Sequence, residues 1–147
     1  MALTGIYEPS RSEWVRDQVA LFESSGGRQG NTEVLGKTIV VVTSVGAKTG
    51  RLRKNPVVRV EHEGRYALVA SAAGASSHPA WYHNLLAHPH VELQDGPVKR
   101  EMAARLLTGE EREEWWARAV ELFPNYGKYA TATTRVIPVF LLEEPAA

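Results

Sequence analysis

Polar and apolar residues alternate in helical rhythm at the start of the chain. Trp14, Val15, Gln18, Val19, Leu21 and Phe22 recur with one largely apolar face behind a capping pattern of Ser10 and Glu13, which predicts a helix ended by Gly26 and Gly27. The polar stretch 24–33 is a loop. Residues 36–45 are rich in β-branched positions. Gly46-Ala47-Lys48-Thr49-Gly50 makes a turn, and 54–62 is the next predicted strand. Glu63-Gly64 is a hairpin turn into a strand over 65–71, and the small residues of 72–77 form a loop. Pro79 introduces a helix over 80–87, which Pro89 closes. Asp95-Gly96 turns a second hairpin between 91–94 and 97–107. Thr108 and Glu111 repeat the capping pattern ahead of a helix carrying Trp115, Trp116, Ala119, Val120 and Phe123, stopped by Pro124. Residues 125–134 are read as a loop and 135–143 as the last strand. Hairpins without βαβ alternation indicate an antiparallel α+β fold with flanking helices. About six or seven strands in so short a chain would close into a small barrel.

The chain has 147 residues, the size of one domain, so 1–147 is read as a single domain with 1–30 as its N-terminal helix and loop. It contains no cysteine, which excludes disulfides, thiolate nucleophiles and iron–sulfur ligation and suits a cytoplasmic location. No secretory pattern opens the chain, and its apolar runs are too short to span a bilayer. The charges, 17 cationic and 17 anionic, sum to zero but are unevenly spread. Between Glu33 and Glu61 there is no acid, while Lys37, Lys48, Arg51, Arg53, Lys54 and Arg59 all fall there. Such a run is either an anion site or a solvated strand end whose carboxylate partners lie elsewhere in the fold.

The turn at 46–50 lacks the glycine spacing of a P-loop, so it suits a phosphate without the machinery to hydrolyse a nucleotide. His78, His83, His88 and His90 are not spaced to share a helix face, and no metal site is read from them. No serine sits in a nucleophile motif. Glu110, Glu111, Glu113 and Glu114 form a solvated first helical turn and no acid–base pair. The better lead is aromatic. Trp81 and Tyr82 adjoin the small-residue stretch 71–75, and Tyr126 and Tyr129 follow a helix, an arrangement that allows a flat ligand to approach backbone closely.

Three segments together resemble the deazaflavin-dependent nitroreductases. Residues 43–56, TSVGAKTGRLRKNP, are similar to that family's T-T-x-G-R-K-[ST]-G-x-x-R-x-x-P. Residues 71–74, SAAG, with 78–85, HPAWYHNL, are similar to S-x-G-G and P-x-W-x-x-N-L. Residues 122–129, LFPNYGKY, with 134–139, TRVIPV, resemble the family's closing Y-P-x-Y-x-x-Y and T-x-R-x-I-P-V. The resemblance implies a split β-barrel that binds coenzyme F420, a deazaflavin with a phosphate and an oligoglutamate tail. It further implies hydride transfer to a planar, electron-poor small molecule such as a quinone or nitroheterocycle. By that resemblance Lys48, Thr49, Arg53, Lys54, Asn55 and Pro56 hold the phosphate end, with Val57 and Val58 nearby. Val69, Ala70, Ser71 and Ala72, with Ala80, Trp81, Tyr82, His83 and Asn84, line ring and linker. Tyr126 reaches the ring or the substrate, and Ser71, Tyr126 and Tyr129 are the candidate catalytic residues. The chain departs from the pattern at Ala47 (usually arginine), Ala72 (lysine in some members) and Phe123 (usually tyrosine). A non-catalytic carrier of the same flat ligand would use the same residues. Nucleic acid is not expected as a partner. A homodimer stays open, as does whether the helix from Trp14 to Phe22 packs on the barrel or touches a membrane weakly.

Overall fold

The computed structural model describes residues 3–32 and 36–146, so Glu33, the end of the expected loop, lies outside the described residues. Seven strands form one antiparallel sheet, in the order β2-β1-β5-β6-β7-β4-β3. They are β1 (Ile39–Val45), β2 (Leu52–Val58), β3 (Glu61–His62), β4 (Arg65–Val69), β5 (His90–Asp95), β6 (Val98–Leu106) and β7 (Val139–Glu143). The helices are α1 (Glu13–Ser24), α2 (Ala80–Ala87), α3 (Gly109–Leu122) and α4 (Asn125–Ala132).

The expected strand over 54–62 is two strands. The chain leaves β1 after the Ile39–Val58 pair, and Arg59 and Val60 carry it across to β4. Arg59 N–H donates to Thr38 C=O at 2.8 Å on one side, and Ala67 N–H donates to Val60 C=O at 2.9 Å on the other. One bent segment thus supplies both end strands of the sheet and curls it into a split barrel. The last strand is also shorter than expected: residues 135–138 run outside the ladder, and pairing begins at Val139.

Burial follows the two-residue period of the strands. Val40 and Val42, Tyr66 and Leu68, and Phe140 and Leu142 meet inside the barrel with Leu85 of α2. The alternate positions Ala67, Val69, Val139 and Leu141 pack outward beneath Trp115, Ala119, Phe123 and Tyr126. Ile39 and Val41 do the same under Val19 and Phe22 of α1. The helix from Trp14 to Phe22 therefore packs on the barrel. Covered on both faces, these strands read as unbroken apolar runs, and each fully buried large side chain contributes about 1.5–3 kcal/mol.

Two capping expectations change. Ser12, not Ser10, caps α1, its Oγ accepting from Val15 N–H at 3.3 Å. Thr108 makes no side-chain cap on α3; the guanidinium of Arg105 instead donates to both carboxylate oxygens of Glu111, at 2.7 and 3.0 Å. Residues 125–132, expected as a loop, are α4.

Candidate functional site

Two hollows lie side by side, both walled by β2 and α2. The first, a cleft of about 310 Å3, is lined by Glu8, Gly46, Ala47, Lys48, Thr49, Arg53, Ala80, His83 and Asn84. Its floor is the turn between β1 and β2. Gly46 N–H donates to Arg51 C=O at 2.7 Å and Gly50 N–H to Gly46 C=O at 2.9 Å. A Cβ on Gly46 would come within 2.9 Å of Thr49 Oγ1. The Asn84 side chain accepts from Ala47 N–H at 2.9 Å and fixes the turn against α2. Lys48 is exposed and makes no ion pair among the described residues.

Strand alternation separates the neighbouring cations. Arg53 lines the cleft, whereas Lys54 points to the opposite face, where its ammonium meets the Glu23 carboxylate on α1. Most of the acid-free run is not acid-free in space. Arg51 and Arg53 both reach Glu8, and Arg59 lies 3.0 Å from Asp95.

The second hollow, about 220 Å3, is lined by Pro56, Val57 and Val58 of β2, Val69, Ser71, Ala72 and Ala73, Pro79 just before α2 and Trp81 on it, and Phe123, Tyr126 and Tyr129. It occupies the seam where the barrel interior meets the layer formed by α3 and α4. The tyrosines were expected outside regular structure. They stand on one face of α4, three residues apart, with Phe123 three residues before Tyr126. The Phe123 and Tyr126 rings meet edge-on at 4.9 Å. Burial, reinforced by Tyr129, pushes the Tyr126 phenol well above its ordinary value of 10.0, so it stays a hydrogen-bond donor at physiological pH.

The opposite wall is the loop from Ser71 to Gly74. Ala72 and Ala73 both adopt left-handed backbone, with φ of 45° and 52°, a conformation that costs an alanine about 1 kcal/mol or more. Arg135 holds them there. Its guanidinium donates to the carbonyls of Ala70 (3.1 Å), Ser71 (2.7 Å) and Ala75 (2.8 Å). It also lies 2.9 Å from His78 Nδ1. Burial, with Arg135 and His83, lowers the pKa of His78, which favours the neutral ring able to accept at Nδ1. The His78 ring lies against Tyr82 at 4.2 Å. Gly74, at φ 82°, is needed where the loop touches α4, since a Cβ there would sit 3.2 Å from Ala132 Cβ.

Of the residues singled out from sequence, Lys48, Thr49, Arg53, Ala80, His83 and Asn84 line the cleft. Pro56, Val57, Val58, Val69, Ser71, Ala72, Trp81, Tyr126 and Tyr129 line the aromatic pocket. Asn55 lies on β2 between them, on the same side by alternation as Arg53 and Val57. Three residues lie elsewhere. Lys54 faces α1. Ala70 is fully buried, its N–H spent on Pro138 C=O. Tyr82 packs on His78 and Phe140. Glu8 and the Arg135 clamp escaped the sequence reading. The second could have been suspected from the fixed arginine in the closing motif, whereas the first has no local signal.

A family profile described as F420H(2)-dependent quinone reductase matches residues 14–144. A putative F420H(2)-dependent quinone reductase of Mycobacterium bovis is 30% identical over 126 residues, spanning 84% of this chain and 85% of that protein. An F420H(2)-dependent quinone reductase of Mycobacterium tuberculosis matches with the same identity and spans. Among solved structures, an F420-H2 dependent reductase, FDR-A, is 51% identical over 71% of this chain and 93% of its own, with a TM-score of 0.68. A chain described as a domain-swapped dimer is 43% identical, covers 91% of this chain and 100% of its own, and superposes with a TM-score of 0.72. The heme storage protein HutZ of Vibrio cholerae, at 13% identity and a TM-score of 0.57, shares the fold alone.

Proposed function

This chain belongs to the F420H(2)-dependent quinone reductase family, and from that premise we propose that its two hollows form one site for coenzyme F420 beside a quinone-type acceptor. The protein is an oxidoreductase that passes a hydride from the reduced deazaflavin to the acceptor. The observation that carries the reading is the pairing of a basic cleft with an aromatic pocket along the same strand and helix. A ligand with a flat apolar ring at one end and anions at the other matches both halves.

In this reading Lys48, Thr49 and Arg53 hold the phosphate end, with Arg53 the two-pronged donor and Lys48 a point charge. Val57, Val69, Ala72 and Trp81 would line the ring, and Asn55 would lie between the two halves. The cofactor, when bound, supplies the hydride. The rest of the work is the protein's. Phe123, Trp81 and the valines exclude water from the ring face. The Ser71 hydroxyl, on a loop fixed by Arg135, offers a hydrogen bond beside the ring. The Tyr126 phenol, kept protonated by burial, orients the acceptor and holds a proton near its oxygen, and Tyr129 narrows the pocket beside it. A second copy of the chain as partner is consistent with the domain-swapped neighbour.

The test is anaerobic turnover: purified protein, reduced F420 and a soluble quinone, followed by the absorbance of reoxidised deazaflavin. Catalytic oxidation that depends on both quinone and protein is the expected result. Tight cofactor binding without turnover would mark the chain as a carrier instead.

A further inference from the structure

The cleft contains an anion of its own. Residues 6–8 lie along the outer edge of β2: Leu52 N–H donates to Ile6 C=O at 2.8 Å, and Glu8 N–H donates to Leu52 C=O at 2.9 Å. Tyr7 bridges Leu52 in parallel, an isolated bridge that ties the strap to the sheet edge. Alternation along it sends adjacent side chains to opposite faces. Tyr7 goes to the α1 side, its ring 4.8 Å from Lys54 Nζ. Glu8 goes to the cleft, where its carboxylate engages Arg53 and lies 3.4 Å from Arg51.

We propose that Glu8 is a specificity-determining residue of the site: a tethered carboxylate that occupies the Arg53 guanidinium until a stronger anion displaces it. The proposal rests on reading the cleft as the anion end of the cofactor site. Because the strap ties Glu8 to β2, its carboxylate acts at a high effective concentration with little entropy left to lose. A free carboxylate or a lone weak anion competes poorly against it. A phosphate that also engages Lys48 gains a second cation that Glu8 does not engage. The cleft then favours ligands with clustered negative charge, as the phosphate and glutamate tail of F420 provide. Displacement remains cheap, because the Glu8 and Arg53 side chains are 34% and 31% exposed and such partly solvated pairs are weak.

The test compares the full-length wild type with Glu8→Gln and Glu8→Ala at low salt, using two probes. Inorganic pyrophosphate is titrated by calorimetry and oxidised F420 by fluorescence, with melting temperatures to verify folding. Removal of the carboxylate should tighten both ligands by about three- to tenfold, up to about 1.4 kcal/mol. It should also steepen the fall of affinity with added salt, since one more cation is left to the ligand. Unchanged or weaker pyrophosphate binding in folded variants would overturn the role of Glu8. Tighter pyrophosphate with no F420 binding by any of the three proteins would uphold Glu8 and refute the cofactor reading.

Discussion

The basic cleft and the aromatic pocket share two walls yet are built on different principles. The cleft is a surface turn whose cations reach solvent and whose arginines already share a carboxylate. In the proposed site its contribution to binding is electrostatic, tolerant of ligand shape and weakened by salt. The pocket is set into the core: Val58, Val69, Phe123 and Tyr126 belong to the same buried cluster as Trp115. Its facing loop is held in strained backbone by a single arginine. In the proposed site its contribution is shape, insensitive to salt and intolerant of small displacements. In the proposed site one half recruits and the other half aligns, so damage to the two should differ in kind as well as in size.

The largest effect is expected at Arg135, although it lines neither hollow. Arg135→Ala leaves three carbonyls and His78 without their donor while the left-handed alanines keep their strain. Charge-assisted hydrogen bonds of this sort are worth about 1.5–3 kcal/mol each, so stability should fall by about 2–3 kcal/mol even after water replaces some of them. Cofactor affinity should fall more than tenfold. Denaturant melts and F420 titration measure the two, and a variant as stable and as tight as wild type would show that the loop holds its shape unaided.

Next comes the contrast between Arg53 and Lys54. Arg53→Ala should weaken F420 by about 2 kcal/mol, because it removes a forked donor and sets Glu8 loose in the cleft. Lys54→Ala should hardly alter affinity and should instead cost about 1 kcal/mol or less of stability through its lost pair with Glu23. Equal losses of affinity in both variants would dissolve the cleft into a diffuse basic surface.

Tyr126→Phe should change affinity least, by less than about 1.4 kcal/mol, while lowering turnover. Because the Tyr126 phenol titrates well above its ordinary value, the wild-type rate should show no loss from phenol ionisation between pH 6 and about 9. A variant that turns over normally but loses the cofactor would assign Tyr126 to the ring.

Turns and proline boundaries, which neighbouring residues govern, were legible in the sequence, whereas the capping residues of α1 and α3 were not. The Glu63-Gly64 and Asp95-Gly96 hairpins appear where the turn residues put them, and Pro79 and Pro89 bracket α2 as expected. The two hollows reunite most of the segments that the family motifs picked out. Features decided at a distance were not legible. α4 spans only eight residues between Pro124 and Thr133 and includes Gly127, so local propensity hides it, and packing against Gly74 helps hold it in place. The strand over 54–62 breaks at Arg59 because one segment must serve two sheet edges, a demand visible only once the barrel curls. Glu8 reaches Arg53 across 45 positions, so the acid-free run looked free of counter-charge when it was not.

The division of labour is tested most directly by titrating two ligands at low and high salt: intact F420, and the same deazaflavin chromophore stripped of its phosphate and glutamate tail. Intact F420 should bind much more tightly at low salt and lose most of that advantage at high salt, while the stripped chromophore should bind weakly with nearly the same affinity at both. Equal affinities with the same salt response would contradict it, because the basic cleft would then contribute nothing to holding the cofactor.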